Sequence, residues 1–294
     1  MNRSSAAAPA PTARLRRRLL WVGPHDSLEL GLALADVAQV AEVLHWESPR
    51  AAVESLAAAV EPPAAPVLVT LLASDRPGRF SAADALLLTT AWPLVPIVSV
   101  ASSLVDGRRR SGPPLPGLEE VAWHDLGGRC RWWLEAFDAG IPGPLGLPTT
   151  ARREERLLAG IATRAADASA AGTPSPPVTV AVAATLADEL EGVCDLLAVS
   201  GHRVVARHLG RPRLDEPAAA VVWSVCDLSA QDIEWLRLLA ANAPGLLIVI
   251  LASFPRGDVV LAARRAGAAA VLGKPASLEA LAGSLLPARG PTSR

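Results

Sequence analysis

Lysine is nearly absent from this chain. Of 294 residues 28 are Lys or Arg, and a single one, Lys274, is lysine. Arginine presents a planar fork, whereas lysine is a compact point charge that fits a small acidic pocket, so Lys274 marks a place to look. Cysteine is scarce as well. Cys130, Cys194 and Cys226 are scattered and odd in number. No Cys-x-x-Cys pair exists, which excludes a zinc or redox motif of that spacing and reads as free buried thiols in a reducing cytoplasm. Tyrosine is absent and methionine occurs only at the start. Neither sign of charge dominates: the formal net charge is −1 and the pI about 6.5, which leaves no global basic field for nucleic acid or an anionic membrane. No apolar run approaches the ~18 residues of a membrane span. Leu19–Val22 is broken at once by Gly23-Pro24, short of the roughly 7–15 apolar residues of a secretory signal. Met1–Arg18, rich in Ala, Pro and Ser and ending in an arginine run, is expected to be a disordered tail of a cytoplasmic protein.

Half of the chain is apolar, ample for packed cores, and the length suggests about two domains. Two α/β units emerge. In the first, residues 19–139, strand patterns at Leu19–Val22, Glu42–Trp46, Val67–Leu72, Ile97–Ala101 and Glu120–Trp123 alternate with helical patterns at Ser27–Gln39, Pro49–Val60, Ser81–Ala91 and Arg129–Phe137. In the second, residues 178–288, strands are expected at Val178–Ala183, His202–Arg207, Ala218–Val225, Leu246–Ala252 and Ala269–Leu272. Helices are expected at Leu186–Val199, Ser229–Ala241, Val259–Ala266 and Leu278–Leu286. Continuous apolar runs such as Val67–Leu72 suit parallel strands buried on both faces, and the alternation argues for parallel sheets covered on both sides. The units echo each other: Pro96–Ser102 and Leu247–Ser253 share a pattern and a closing Ala-Ser. Residues 140–177 form a Pro/Gly/Ser-rich linker holding one helical pattern, Ala151–Ala168, and 289–294 a short tail.

The apolar run Leu246–Ala252 ends in Ser253. An amphipathic segment with Ala-Gly-Ala follows, then the run ending Gly273-Lys274-Pro275. That series resembles the C-terminal half of response-regulator receiver domains, clearly over 178–288 and faintly over 19–139. The resemblance implies two tandem doubly wound five-stranded parallel sheets of strand order 2-1-3-4-5, a cis Lys274–Pro275 bond, and a switch made by Ser253, Lys274 and Pro275. Receivers transfer a phosphoryl group to their own aspartate. Adjacent acids after strand one hold Mg²⁺, which wants hard carboxylate oxygens and neutralises the transferring group.

Here the first strand of unit two ends in Ala183-Ala184-Thr185, without acids. Asp188 lies in the first helical turn, where a carboxylate suits the dipole without any metal. The acceptor position falls near Ser224, with Asp227 slightly late: a possible phosphoacceptor if the loop is shortened, otherwise a loop carboxylate beside Ser229. Unit one departs further. Gly23-Pro24-His25-Asp26 follows its first strand, and Asp26 is expected to cap the helix. Asp75 is faintly acceptor-like, Ser102 matches the hydroxyl, and the lysine position falls on Trp123 or His124. Its fourth helix is replaced by the loop Asp106–Gly117, where Arg108, Arg109 and Arg110 stand near Trp123, His124, Trp132 and Trp133 in sequence. Arginine among aromatics suits phosphates and stacked bases; a solvated charge run beside core tryptophans is the plainer reading. Phosphate loops, dinucleotide glycine fingerprints and nucleophile elbows are missing.

The expectation is therefore a signalling or scaffolding protein that is not an enzyme, needs no cofactor or metal and acts by protein–protein contact. A protein partner or a second copy would use the face made by helix four, strand five and helix five of unit two. Small residues there (Ala262, Ala263, Ala266, Gly267, Ala268, Ala280, Gly283) allow close approach, and Arg264 and Arg265 should rim the contact. Two alternatives stand beside it: an atypical phosphoacceptor using Asp227 with Ser253 and Lys274, and an anion or nucleic-acid binder through Arg108–Arg110.

Overall fold

The computed structural model describes residues 17–58, 67–106, 115, 117–138, 155, 158 and 177–286. Unit one runs β1 (Arg18–Val22), α1 (Leu28–Ala38), β2 (Glu42–Trp46), α2 (Pro49–Ala57), β3 (Val67–Ser74), α3 (Ala82–Ala91), β4 (Ile97–Ala101), α4 (Ser103–Asp106), β5 (Glu119–Ala122) and α5 (Leu126–Asp138). Unit two runs β6 (Thr179–Ala184), α6 (Ala187–Val199), β7 (Arg203–Leu209), β8 (Ala220–Val225), α7 (Ala230–Asn242), β9 (Leu247–Ala252), α8 (Gly257–Arg265), β10 (Ala270–Gly273) and α9 (Leu278–Ser284). One sheet is ordered β2-β1-β3-β4-β5 and the other β7-β6-β8-β9-β10, with every ladder parallel. Order 2-1-3-4-5 is the flavodoxin-like winding, which places ligand sites beyond the carboxyl ends of the strands.

Local chemistry starts each helix where the chain needs it. Ser27 caps α1 by accepting the Leu30 N–H, so the cap is Ser27 and not the expected Asp26. The hydroxyl has the reach to meet a free N–H of the first turn. Ser48-Pro49 opens α2, with proline at a first-turn position whose N–H has no helical partner anyway. Ser81 with Asp84 and Ser229 with Asp232 make reciprocal capping boxes on α3 and α7. Gly201, at φ +72°, turns the chain out of α6 into β7. Arg18, read as the end of the tail, belongs to β1, where it pairs with Glu42 at 3.2 Å. The expected replacement of helix four by a loop fails at its start, because the short α4 occupies Ser103–Asp106; residues 107–114 and 116 of that loop lie outside the described residues. In the linker, Glu155 and Leu158 are helical and exposed; the remainder of the helix expected at 151–168 lies outside the described residues.

Each sheet is covered on both faces. In unit one Leu20, Val22 and Leu72 pack under α2 and α3 with Phe80 and Leu88. In unit two Val180, Val182, Val222 and Leu251 pack beneath α6 and α9. The remaining faces of the two sheets share one buried cluster, which runs from Trp21, Leu71 and Trp133 of unit one to Trp223, Ile250, Val260 and Ala282 of unit two. Trp123, Trp132 and Trp133 are buried members of that cluster, which is the packing role allowed for them from the sequence.

Candidate functional site

The carboxyl ends of β6, β8 and β10 bring three polar side chains together in unit two. Ser224, next to last in β8, is 1% exposed. Lys274 follows β10 directly, its N–H bonded to the Ala252 carbonyl (3.0 Å) at the end of β9, and the Lys274–Pro275 bond is cis. Glu189 comes from the first turn of α6. Lys274 Nζ donates to Glu189 Oε1 and Oε2, both at 3.0 Å, and Ser224 Oγ donates to Oε2 at 3.0 Å. The Lys274 hydrogen bond, assisted by Ser224 and opposed by partial burial, holds the Glu189 carboxyl below its ordinary range. Charge-assisted bonds of this kind are roughly twice as strong as neutral ones.

The expected switch residues divide. Lys274 sits in the cluster. Pro275 is exposed beside it. Ser253 is half-buried after β9 and gives its N–H to the Cys226 carbonyl at 3.1 Å, whereas the hydroxyl that reaches the lysine's carboxylate is that of Ser224. Asp227 is exposed in the loop before α7, and the acid paired with Lys274 is Glu189. Glu189 went unnoticed in the sequence because it follows Asp188 in a helical first turn, where acids are expected for the dipole alone. Its partner is 85 residues away.

A receiver fold implies Mg²⁺ at this edge. The donors do not fit it. β6 ends in Ala183-Ala184-Thr185, and the Glu189 carboxylate is already held by an ammonium and a hydroxyl. Mg²⁺ demands an octahedral set of hard oxygens, and among the described residues no group of three or more His, Cys, Asp or Glu could hold a metal ion.

Unit one carries a different set at the same place. Ala73 pairs with Val100 as Ser224 pairs with Leu251, and Ala122 pairs with Ala101 as Gly273 pairs with Ala252. The ladders thus put Ala73 where unit two has Ser224, and Trp123 where it has Lys274. Trp123 is buried, its Nε1–H on Ser103 Oγ at 3.3 Å. Glu29, in the first turn of α1, accepts the Ser103 N–H at 2.8 Å. The Asp75 carboxylate stands 3.8 Å from Arg79, and its carbonyl takes the Ser102 hydroxyl. His25 Nδ1 and His45 Nε2 lie 3.2 Å apart, and His45 Nε2 is 2.9 Å from the Gly23 carbonyl oxygen, bracing the β1–α1 turn. Arg108, Arg109 and Arg110 lie outside the described residues.

The face of unit two made by α8, β10 and α9 meets unit one. Arg264 of α8 forms a two-pronged pair with Asp36 of α1, at 2.6 and 2.6 Å. Arg129 of α5 is half-buried between Glu119 of its own unit and Glu279 of α9, and lies over the Trp133 ring. Burial pulls the Arg129 pKa down, but Glu279 and Glu119 outweigh it, so the guanidinium is held above its ordinary range. The Asp125 carboxylate accepts both the Gly273 N–H (3.1 Å) and a bond from His124 Nδ1 (2.9 Å). Of the two arginines expected to rim a contact with a partner or a second copy, Arg264 is instead paired with Asp36 of unit one and Arg265 is exposed.

No family model matches the chain, and no curated protein matches it. Both units have the 2-1-3-4-5 winding of parallel strands. Among solved structures, the chain is similar to a protein described as pilus assembly-related from Burkholderia pseudomallei (24% identity over 37% of this chain and 86% of that one, TM-score 0.35). It is also similar to a CpaE pilus assembly protein of Burkholderia thailandensis (24%, 37% and 94%, TM-score 0.35). A response regulator/GGDEF domain protein aligns over 92% of this chain and 98% of its own, at 13% identity and TM-score 0.34. No described helix is long and apolar enough to cross a membrane.

Proposed function

We propose that this chain is a signalling or scaffolding protein in which two degenerate receiver-like units act by protein–protein contact, without phosphorylation or other catalysis, in the cytoplasm. One observation carries the reading: Glu189 neutralises the lysine that a receiver keeps for a phosphorylated aspartate. A built-in carboxylate satisfies Lys274, and the acceptor place is taken by Ser224, whose hydroxyl is engaged by the same acid. Phosphoryl transfer depends on positioning and charge neutralisation at the transferring group, and this edge offers neither a metal-binding acid pair nor a free lysine. Unit one, with Ala73 and Trp123 in those places, offers still less.

Incubation of the full chain with acetyl phosphate and Mg²⁺, followed by intact-mass spectrometry, tests the proposal. The expected result is an unchanged mass. A stable gain of one phosphate that disappears in Asp227→Asn would replace this reading with the atypical phosphoacceptor.

A further inference from the structure

The α8–β10–α9 face of unit two is the surface through which a second molecule was expected to bind, and unit one lies across it. α5 and α9 cross so closely that backbone meets backbone. A Cβ on Gly283 would overlap the Gly128 carbonyl, and one on Gly128 would overlap the Ala280 carbonyl. Glycine at both places is a steric requirement of this crossing and not of either unit alone. Charges match across it as well: Asp36 meets Arg264, Arg129 meets Glu279, and Asp125 meets the Gly273 N–H. Gly273 has a further reason to lack a side chain, because the His124 ring of unit one fills the space a Cβ would take.

We infer that the α8–β10–α9 face is a docking site built for unit one of the same chain, and that Gly273 ties this docking to the Lys274–Glu189 pair. The occupant is assigned by complementarity and by tethering. Joining two modules in one chain gives an effective concentration up to the order of millimolar, so a second copy at micromolar concentration competes at a disadvantage of about a thousandfold. The tie is the peptide linking Gly273 to Lys274. Its N-terminal residue gives its N–H to Asp125 of unit one, and its C-terminal residue gives its ammonium to Glu189. A shift of the lysine loop therefore moves a seam contact, and by reciprocity loosening the seam loosens the lysine. This inference goes beyond the proposed function and stands whether or not the site ever takes phosphate.

Hydrogen exchange on the full chain, followed by peptide, tests it. Arg264→Asp and Asp36→Arg should each raise exchange at least about fivefold, the low end of ordinary site coupling, on both sides of the seam, at 126–138 and 270–284. Combining the two, which restores opposite charges, should recover most of the protection. Protection at 126–138 that survives Arg264→Asp in a folded protein overturns the docking site. A wild-type dimer that Arg264→Asp dissociates, seen by light scattering, overturns the assignment to the same chain. For the tie, Lys274→Met should raise exchange at 126–138, although Lys274 makes its ion pair inside unit two. An effect confined to 186–190 and 270–276 overturns the tie and leaves the docking intact.

Discussion

The two units share a winding and differ where it opens. Both sheets run 2-1-3-4-5, and both place a first-turn acid over the carboxyl edge. In unit one Glu29 takes a backbone N–H, that of Ser103; in unit two Glu189 takes an ammonium and a hydroxyl. The ladder position filled by buried Trp123 in unit one is filled by Lys274 in unit two. The difference shows that the winding does not depend on the residues at its open end. Strand interiors are fixed by two-sided burial, whereas the ends of the strands are free to become core, as in unit one, or a closed polar cluster, as in unit two. The same winding therefore does not carry the same chemistry.

Substitutions at matched places sharpen that contrast. Trp123→Ala should be the most damaging, about 3–5 kcal/mol by chemical denaturation, since it empties a core site. Gly283→Leu should cost about 3 kcal/mol and lower the melting temperature by roughly 6–12 °C, because the Gly128 backbone cannot retreat without parting the units. A single wild-type transition that splits into two in this variant would also place the seam's contribution between the units. Lys274→Met, the counterpart of Trp123→Ala, should cost only about 1–2 kcal/mol, because Glu189 keeps Ser224 and some water. Equal losses at Trp123 and Lys274 would break the comparison.

Acid should erase the Lys274 effect. The Glu189 carboxyl is held below its ordinary value of 4.5, chiefly by the lysine. Its ionised form is favoured in the folded state, so this stabilisation is present above about 4.5 and is lost as pH falls through the lower folded value. The gap in stability between wild type and Lys274→Met should be constant from pH 7 to 5 and shrink below that, in urea titrations at each pH. The smallest effect is a gain. Gly192, mid-way along α6, has nothing within 4 Å of a built Cβ, so Gly192→Ala should stabilise unit two by ~0.5–1 kcal/mol.

Much of this architecture was legible in the sequence, and the reasons are local. Continuous apolar runs such as Val67–Leu72 announce parallel strands, and Ser81 and Ser229 announce helix starts. The interval from Ser253 to Lys274 carried the fold of unit two. The cluster was half legible: Lys274 by its rarity, Ser224 by its place in β8, but not Glu189, since no local pattern separates an acid that serves the helix dipole from one that reaches across a sheet edge. The seam was less legible still. Asp36 and Arg264 are 228 residues apart, and Gly283 was visible only as one of many small residues that also suit ordinary helix-to-sheet packing.

Because Lys274 is the only lysine, acylation of a single side-chain amine reports directly on the closed cluster. The full chain is pulsed with an amine-reactive ester at fixed pH, and modification of the peptide containing Lys274 is followed by mass spectrometry. The account predicts slow labelling in the wild type and labelling several-fold faster in Glu189→Gln. It also predicts no change when Mg²⁺ and beryllofluoride are added to the wild type. Equal rates in wild type and Glu189→Gln, or protection of Lys274 by beryllofluoride, would contradict it.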